Sequence, residues 1–317
     1  MSKILIIGAG AMGSAFSFPC IDSGHEVSII GSPLENDFID EIKKNNFHKS
    51  LNCTVSKKIK FFKVDSLYDQ LKSKPDLIVI AVSSKGIDWF AKEIDNSSYS
   101  KAQLLLLTKG LTMRNNKISI LTDKFKNTDI TVVAGPCLAK DLSNKNNTSV
   151  IFANKNIDKA KKISQLIKAN YYFIECSNDL LGIEICAAIK NFYSMIIGSA
   201  SELNSAAFLM HKSIIEMKKF VKKMGGSENS VYGLAGLGDL YVSSAGGRNS
   251  KMGQFLGKGH LYSFAKSKFM PNDTIEGAEL AREIGIKVLK DFKKKDFPLM
   301  HSLLDAICND KKFEIKW

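Results

Sequence analysis

A glycine-rich turn near the N-terminus constrains the fold of this chain more than any other feature. An apolar run of strand length, residues 3–7, leads directly into GAGAMG at residues 8–13. A helix-compatible segment and a second apolar run at 25–30 complete a strand–turn–helix–strand unit of about thirty residues. In such a unit Gly8 makes the tight turn, Gly10 lets the backbone approach a pyrophosphate, and Gly13 allows close packing of helix and strand. The turn therefore predicts dinucleotide binding.

Further apolar runs continue this pattern through the first half of the chain. Runs of this kind, separated by helix-length polar segments, are typical of parallel strands buried on both faces. Beyond a last run at 172–175 no strand-like segment follows. The sequence predicts an α/β fold with an N-terminal doubly wound, Rossmann-like dinucleotide-binding domain and a C-terminal all-helical substrate and catalytic domain, at residues 1–177 and 178–317. The intervening runs are residues 75–82, 103–107, 130–134 and 148–152.

The choice between NAD and NADP depends on the end of the second strand. An acid there favours NAD, and a nearby cation favours NADP. Ser32 supplies neither charge, Asp37 lies too far along the chain, and no arginine is close. A neutral hydroxyl discriminates weakly, so we expect either cofactor to be used, with a modest preference.

Two lysines lie in apolar surroundings. Lys109 follows four leucines, and Lys190 lies in a segment predicted to form one helix over residues 183–203. Burial lowers the pKa of an ammonium toward the range useful for proton transfer, unless the side chain extends to water. Two such lysines favour an anionic substrate that carries a carbonyl group. The excess of 45 basic over 32 acidic residues also favours a small anionic substrate.

Turn-rich segments in the second half add charged candidates. Asp239 is the lone acid of an apolar stretch at 233–240, and Arg248 follows two glycines. Glycines let the backbone come close to a ligand, and a guanidinium beside Asn249 suits a phosphate group.

Composition argues against several other classes of protein. The lysine-rich runs, such as residues 159–162, 218–223 and 290–295, are typical of solvated faces, so we expect no nucleic-acid binding. The six cysteines form no CxxC pair and no zinc-type spacing with the five histidines, which predicts reduced thiols and no metal. No apolar run approaches the roughly 18 to 20 residues that span a bilayer, and the N-terminus carries a strand. We therefore expect a cytoplasmic protein without membrane insertion.

Seven motifs, in order, resemble those of the soluble NAD(P)-dependent glycerol-3-phosphate dehydrogenases. The resemblance covers nearly the whole chain and implies reversible hydride transfer between the nicotinamide and C2 of dihydroxyacetone phosphate. The product is sn-glycerol 3-phosphate for phospholipid synthesis, and the family implies a homodimer. The motifs are GAGAMG at 8–13, TKG at 108–110, AGPCLAK at 134–140, IKN at 189–191, GLGDL at 236–240, GRN at 247–249 and IEG at 275–277.

The resemblance also implies residue roles. Lys190 is the general acid in reduction and the base in oxidation, Lys109 polarises the substrate oxygen, and Asp239 and Asn191 orient these groups. The cofactor-binding set is Gly8, Gly10, Ala11, Met12, Gly13, Ser32, Lys109, Ala139, Arg248 and Glu276. The substrate-binding set is Lys109, Gly135, Cys137, Lys190, Asp239, Arg248 and Asn249. The chain departs from the family at Ser32, Ser83, Cys137 and residues 47–52.

Two other interpretations of the same sequence features are possible functions of this chain. A ketopantoate-type reductase shares the GAGAMG start and a helical lysine, but its substrate has no phosphate for the turn at 247–249. A non-catalytic, nucleotide-binding regulatory protein would have no need of both lysines, Asp239 and Arg248. These residues favour a dehydrogenase with a small phosphorylated substrate.

Overall fold

The computed structural model describes residues 1–95, 102–126 and 129–315. The chain divides into two compact units. The first contains Met1–Thr108 and Leu121–Leu180, and the second contains Lys109–Ile120 and Leu181–Trp317. The second unit thus includes a short segment from the predicted first domain, and the domain boundary at residue 177 stays a prediction.

Strands are concentrated in the first unit, and the long helices in the second. In chain order the strands are β1 (Lys3–Ile7), β2 (Glu26–Ile30), β3 (Phe47–His48), β4 (Cys53–Thr54), β5 (Lys60–Phe62), β6 (Leu77–Ile80), β7 (Gln103–Leu106), β8 (Leu111–Arg114), β9 (Lys117–Ile120), β10 (Ile130–Ala134), β11 (Thr148–Ala153) and β12 (Tyr172–Ser177). The helices are α1 (Ala11–Asp22), α2 (Asn36–Asn45), α3 (Leu67–Lys72), α4 (Ile87–Asp95), α5 (Ala139–Ser143), α6 (Ile157–Leu166), α7 (Leu180–Gly198), α8 (Leu203–Lys223), α9 (Asp239–Ser244), α10 (Arg248–Gly257), α11 (Tyr262–Phe269), α12 (Glu276–Asp291) and α13 (Pro298–Cys308).

The first unit is built on one mostly parallel sheet, with the strand order β12-β11-β10-β7-β6-β1-β2-β5. The central strands β1, β6 and β7 are apolar and buried on both faces, which confirms the predicted doubly wound sheet. The expectation that every strand is parallel was wrong at β11, which runs antiparallel to β10. A parallel return usually carries a helix that runs back along the sheet, whereas residues 135–147 between β10 and β11 contain only the five-residue α5, and β11 pairs parallel with β12 instead.

A hairpin that was not predicted from the sequence belongs to the second unit. Strands β8 and β9 pair antiparallel across Asn115 and Asn116, whose φ angles are 48° and 58°. Two residues in the left-handed region match the turn that suits a tight hairpin, and asparagine tolerates that region. Thr112 on β8 donates to Glu283 Oε1 on α12 over 2.8 Å, which attaches the hairpin to the helices.

The long apolar helix differs from its predicted form. The segment 183–203 is α7 followed by the start of α8, and α7 ends at Gly198. By length and hydropathy α7 could cross a membrane, although 94% of its most apolar window is buried inside the protein. The expectation that no segment reaches membrane-spanning length was therefore wrong, and α7 is a buried core helix that carries Lys190.

Glycines permit α7 and α10 to cross with their backbones in contact. A Cβ at Gly253 would overlap the Met195 carbonyl oxygen, and one at Gly198 would overlap the Ser250 carbonyl oxygen.

We expect Gly253→Ala to lower the free energy of unfolding by about 1–3 kcal/mol, because the crowded helices must move apart. Chemical denaturation followed by circular dichroism measures this change. Gly246→Ala is the control, because no heavy atom lies within 4 Å of its added Cβ; equal losses in both variants would contradict the close-packing argument.

Candidate active site

In the first unit the glycine turn has the geometry that a pyrophosphate needs. Gly8 has a φ of 107°, and a Cβ there would lie 2.7 Å from the Ala81 carbonyl oxygen. A Cβ at Gly13 would overlap the Gly8 carbonyl oxygen. Helix α1 begins at Ala11 directly after Gly10, so the first N–H groups of the helix, with its positive dipole end, follow the turn. These residues fit a dinucleotide phosphate.

Two side chains hold the peptide of Ala9, between the first two glycines. The buried His48 uses both ring nitrogens: Nδ1 accepts from the Leu51 N–H at 3.2 Å, so Nε2 carries the proton and donates to Ala9 O at 3.1 Å. Burial lowers the pKa of His48, which favours this neutral form. On the other side Glu35 Oε2 accepts from the Ala9 N–H at 3.2 Å and from the Ser32 N–H at 2.7 Å. Neither role was predicted from the sequence.

The other residues predicted to bind ligands in this unit follow strands of the same sheet. Ser32 follows β2, and Gly135, with a φ of 118°, follows β10. Cys137 is half-buried, and Ala139 is the first residue of α5. Because β1, β2 and β10 run in one direction within the sheet, their carboxyl ends share one edge, where ligands of such sheets bind.

In the second unit a single carboxylate lies between two ammonium groups. Asp239 Oδ1 is 2.9 Å from Lys190 Nζ, and Asp239 Oδ2 is 2.5 Å from Lys109 Nζ. The side chains of Asp239, Lys190 and Lys109 are 5%, 9% and 25% exposed. Ser243 Oγ lies 2.5 Å from Lys190 Nζ. The two lysines predicted from their apolar surroundings thus share one buried anion.

Burial and charge shift the pKa values of this cluster. Burial lowers the pKa of Lys190, and the like charge of Lys109 adds to this effect, while Asp239 opposes it. Burial alone would raise the pKa of Asp239, but Lys109 and Lys190 outweigh it and hold this pKa below its usual value. Asp239 is therefore a stable anion, and Lys190 gives up its proton at a lower pH than an exposed lysine.

The local sequence explains how Asp239 and Ser243 reach Lys190. A π-helical turn at Leu234–Gly238 runs straight into α9, which begins at Asp239. A Cβ at Gly236 would overlap the Val231 carbonyl oxygen, so the turn requires glycine there. Ser243 lies four residues after Asp239 on the same helical face. That spacing was the available signal for Ser243, which was not predicted.

A chain of side-chain amides joins α7, α10 and α12. Asn249 Nδ2 donates to Asn191 Oδ1 over 3.0 Å, and Asn249 Oδ1 accepts the Gly277 N–H over 2.9 Å. Next to these buried amides the half-exposed Arg248 forms an ion pair with Glu276. Asn191 Nδ2 has no hydrogen-bond partner within the described ranges, so it presents a donor.

The second-unit residues predicted from the sequence thus fall into three bonded groups, which adjoin along the chain at Lys190 and Asn191, at Arg248 and Asn249, and at Glu276 and Gly277. They are Lys109, Lys190, Asn191, Asp239, Arg248, Asn249 and Glu276. Among the residues that the structure describes, no group of three or more His, Cys, Asp or Glu side chains could hold a metal ion.

Removing the central carboxylate tests the energetics of this cluster. Asp239→Asn leaves a buried ammonium without its anion, so we expect a loss of about 3–5 kcal/mol in the free energy of unfolding at neutral pH. Because the folded-state pKa of Asp239 is lowered, its stabilisation is complete above the usual carboxyl value of about 4 and is lost as the pH falls further. Denaturant unfolding of both proteins across pH should show the difference shrink in acid. Asp88→Asn, which breaks a surface pair with Lys124, should cost at most about 1 kcal/mol.

Comparisons with known proteins agree with this architecture. The family described as NAD-dependent glycerol-3-phosphate dehydrogenase matches through its N-terminal part at residues 3–160 and its C-terminal part at residues 179–315. An NADP(+)-dependent glycerol-3-phosphate dehydrogenase of Archaeoglobus fulgidus is 28% identical, with 92% of each chain covered. A glycerol-3-phosphate dehydrogenase [NAD(P)+] of Oceanobacillus iheyensis is 30% identical over 82% of this chain and 77% of its own.

A solved structure extends the likeness to the fold. The crystal structure of glycerol-3-phosphate dehydrogenase from Coxiella burnetii superposes with a TM-score of 0.86 at 23% identity, covering 98% of this chain and 96% of its own. The chain belongs to the NAD-dependent glycerol-3-phosphate dehydrogenase family.

Proposed function

We propose that this chain interconverts dihydroxyacetone phosphate and sn-glycerol 3-phosphate with NAD or NADP, using Lys190 as the general acid and base. Membership of the family supports the reaction. The observation that carries the residue assignment is the pair of lysines around the buried Asp239. The resemblance to the family supports a homodimer, a cytoplasmic location and a product used for phospholipids.

Lys190 has the properties of a proton donor to the developing C2 alkoxide. The nicotinamide, when bound, supplies the hydride in reduction and accepts it in oxidation. During reduction the Lys190 ammonium releases a proton to the C2 oxygen, and during oxidation the neutral amine removes it. The pKa of Lys190, lowered by burial, brings both protonation states closer to neutral pH.

The neighbours of Lys190 position it and stabilise charge. Asp239 and Ser243 hold its Nζ, which fixes the direction of proton transfer. Lys109 places a second cation on the same carboxylate and polarises the carbonyl oxygen of the substrate. Asn191, whose Oδ1 is already engaged by Asn249, donates its remaining N–H groups to a substrate oxygen.

The beginning of α10 is suited to the phosphate of the substrate. Arg248 is the first residue of this helix, where the helix dipole and the planar guanidinium both favour an anion. Its ion pair with Glu276 is half-exposed, so a phosphate can compete for the guanidinium at modest cost. Asn249 holds the Gly277 N–H and Asn191, which fixes this turn. Gly135 and Cys137 complete the proposed substrate contacts.

The resemblance to the family supports a set of cofactor-binding residues. In the first unit these residues follow β1, β2 and β10, and three charged side chains of the second unit belong to the same proposed set. These residues are Gly8, Gly10, Ala11, Met12, Gly13, Ser32, Ala139, Lys109, Arg248 and Glu276.

The reaction is tested by following oxidation of NADH and NADPH separately with dihydroxyacetone phosphate and with ketopantoate. Turnover of dihydroxyacetone phosphate alone supports the proposal. Turnover of ketopantoate alone favours the reductase alternative, and cofactor binding without turnover of either ketone favours the regulatory one.

Lys190→Ala should lower kcat at least about a hundredfold, because a general acid–base group typically contributes about 10² to 10⁴. Cofactor affinity, measured by fluorescence titration, should stay near the wild-type value. Lys212→Ala, at an exposed position on α8, is the matched control and should keep full activity. Near-normal turnover of Lys190→Ala would remove this lysine from the mechanism.

Arg248→Ala should selectively impair the phosphorylated substrate. Loss of the charge-assisted contact should cost roughly 2 to 4 kcal/mol in transition-state binding of dihydroxyacetone phosphate, in addition to any cofactor effect that unphosphorylated dihydroxyacetone shares. The ratio of the two kcat/KM values should therefore fall. Arg282→Ala is the control, since that exposed arginine contacts Tyr262 instead. Equal losses with both substrates would refute the phosphate assignment.

A further inference from the structure

We infer that Glu35 recognises the adenosine ribose and makes this chain select NADH over NADPH. The inference rests on the proposed function, because it concerns the cofactor of that reaction. It replaces the expectation, based on Ser32 alone, that the chain discriminates only weakly between NAD and NADP. The relatives include an NADP(+)-dependent enzyme and one named for both cofactors, so selectivity must be read from the residues of each chain.

The position of Glu35 is fixed by two backbone donors. Its Oε2 accepts the N–H of Ala9 in the glycine turn and the N–H of Ser32 at the end of β2. These bonds span 26 and 3 residues of sequence, so the carboxylate bridges the two segments that flank the ribose position in this fold. Glu35 thus places a carboxylate beside the end of β2, where Ser32 itself supplies no acid.

The second oxygen of Glu35 is available as an acceptor. Glu35 Oε1 lies 3.6 Å from the point where a Cβ on Gly10 would stand. No hydrogen bond or ion pair of this oxygen occurs within the described part of the chain, and the residue is only partly buried. Gly10 is the glycine that lets a pyrophosphate approach the backbone, so Oε1 faces the region next to that phosphate.

The chemistry of the two cofactors differs at this carboxylate. The 2′- and 3′-hydroxyls of NADH are donors, and bonds to an ionised acceptor are about twice as strong as neutral ones. The 2′-phosphate of NADPH has no comparable donor and carries negative charge, which an adjacent carboxylate repels. Because two N–H groups hold Oε2, the side chain cannot swing away without breaking those bonds.

The first unit contains no arginine to bind a 2′-phosphate. The sequence contains three arginines, at 114, 248 and 282, and all of them lie in the second unit. The exposed lysines near β2 have acidic partners that a phosphate would have to displace, since Lys49 pairs with Glu41 and Lys63 pairs with Asp40. His48 uses both ring nitrogens in hydrogen bonds within the protein, so neither nitrogen is available to a 2′-phosphate.

Equilibrium binding of NADH and NADPH, measured by cofactor fluorescence without substrate, tests the inference. Wild type should bind NADH at least about tenfold more tightly, which corresponds to about 1.4 kcal/mol. Glu35→Gln should bring the ratio of the two Kd values close to one. Asp37→Asn, which removes an exposed acid two residues away, should leave the ratio unchanged. The ratio of kcat/KM values for the two cofactors should change in parallel.

Equal affinities in wild type, a preference for NADPH, or an unchanged ratio in Glu35→Gln would overturn the inference. If Glu35→Gln does not fold, as judged by thermal unfolding, the wild-type ratio decides alone. Failure of the proposed function is distinguishable, since it would be seen as NADH selectivity without turnover of dihydroxyacetone phosphate. Turnover with equal use of both cofactors would refute only the role of Glu35.

Discussion

The contact of one buried carboxylate with two ammonium groups underlies the organisation of the second unit. Neither Lys190 nor Lys109 could be held in apolar surroundings at little cost without the anion of Asp239. This contact joins the middle of α7, the start of α9 and the segment before β8. It also lowers the pKa of Asp239 and opposes the lowering of the Lys190 pKa by burial. In the proposed mechanism, stability and reactivity depend on the same three side chains.

Close backbone packing lets the helices bring these groups together. Glycines stand at two crossings: Gly253 lies against α7, and Gly277 would place a Cβ 2.8 Å from the Asn191 carbonyl oxygen. Gly236 lies against Val231 within the turn that precedes α9. A larger residue at any of them would separate the helices by a fraction of an ångström or more. Hydrogen bonds between Asn191, Asn249 and the Gly277 N–H depend on such distances. The small residues thus set the precision of the polar network.

Much of this arrangement could be predicted from the sequence, because it depends on patterns formed by residues that are close together along the chain. The glycine turn, the apolar strands and a lysine inside an apolar helix are each visible within a few residues. Features that depend on contacts between distant segments were missed. Glu35 looks like a loop residue until the turn brings Ala9 to it, and Ser243 acquires a role only beside Lys190. The direction of β11 likewise appears only in its pairing with β10 and β12.

The hairpin of β8 and β9 has a consequence for how the chain is made. It belongs to the second unit, yet it is synthesised before Leu121–Leu180 of the first. Its anchor, Thr112 to Glu283, joins residues 171 positions apart. During synthesis the hairpin therefore leaves the ribosome long before α12 is made. The first unit must then fold while the hairpin still lacks α12. A polypeptide cut at residue 177 would contain the hairpin without α12, so a cut at that position would separate the hairpin from the unit to which it belongs.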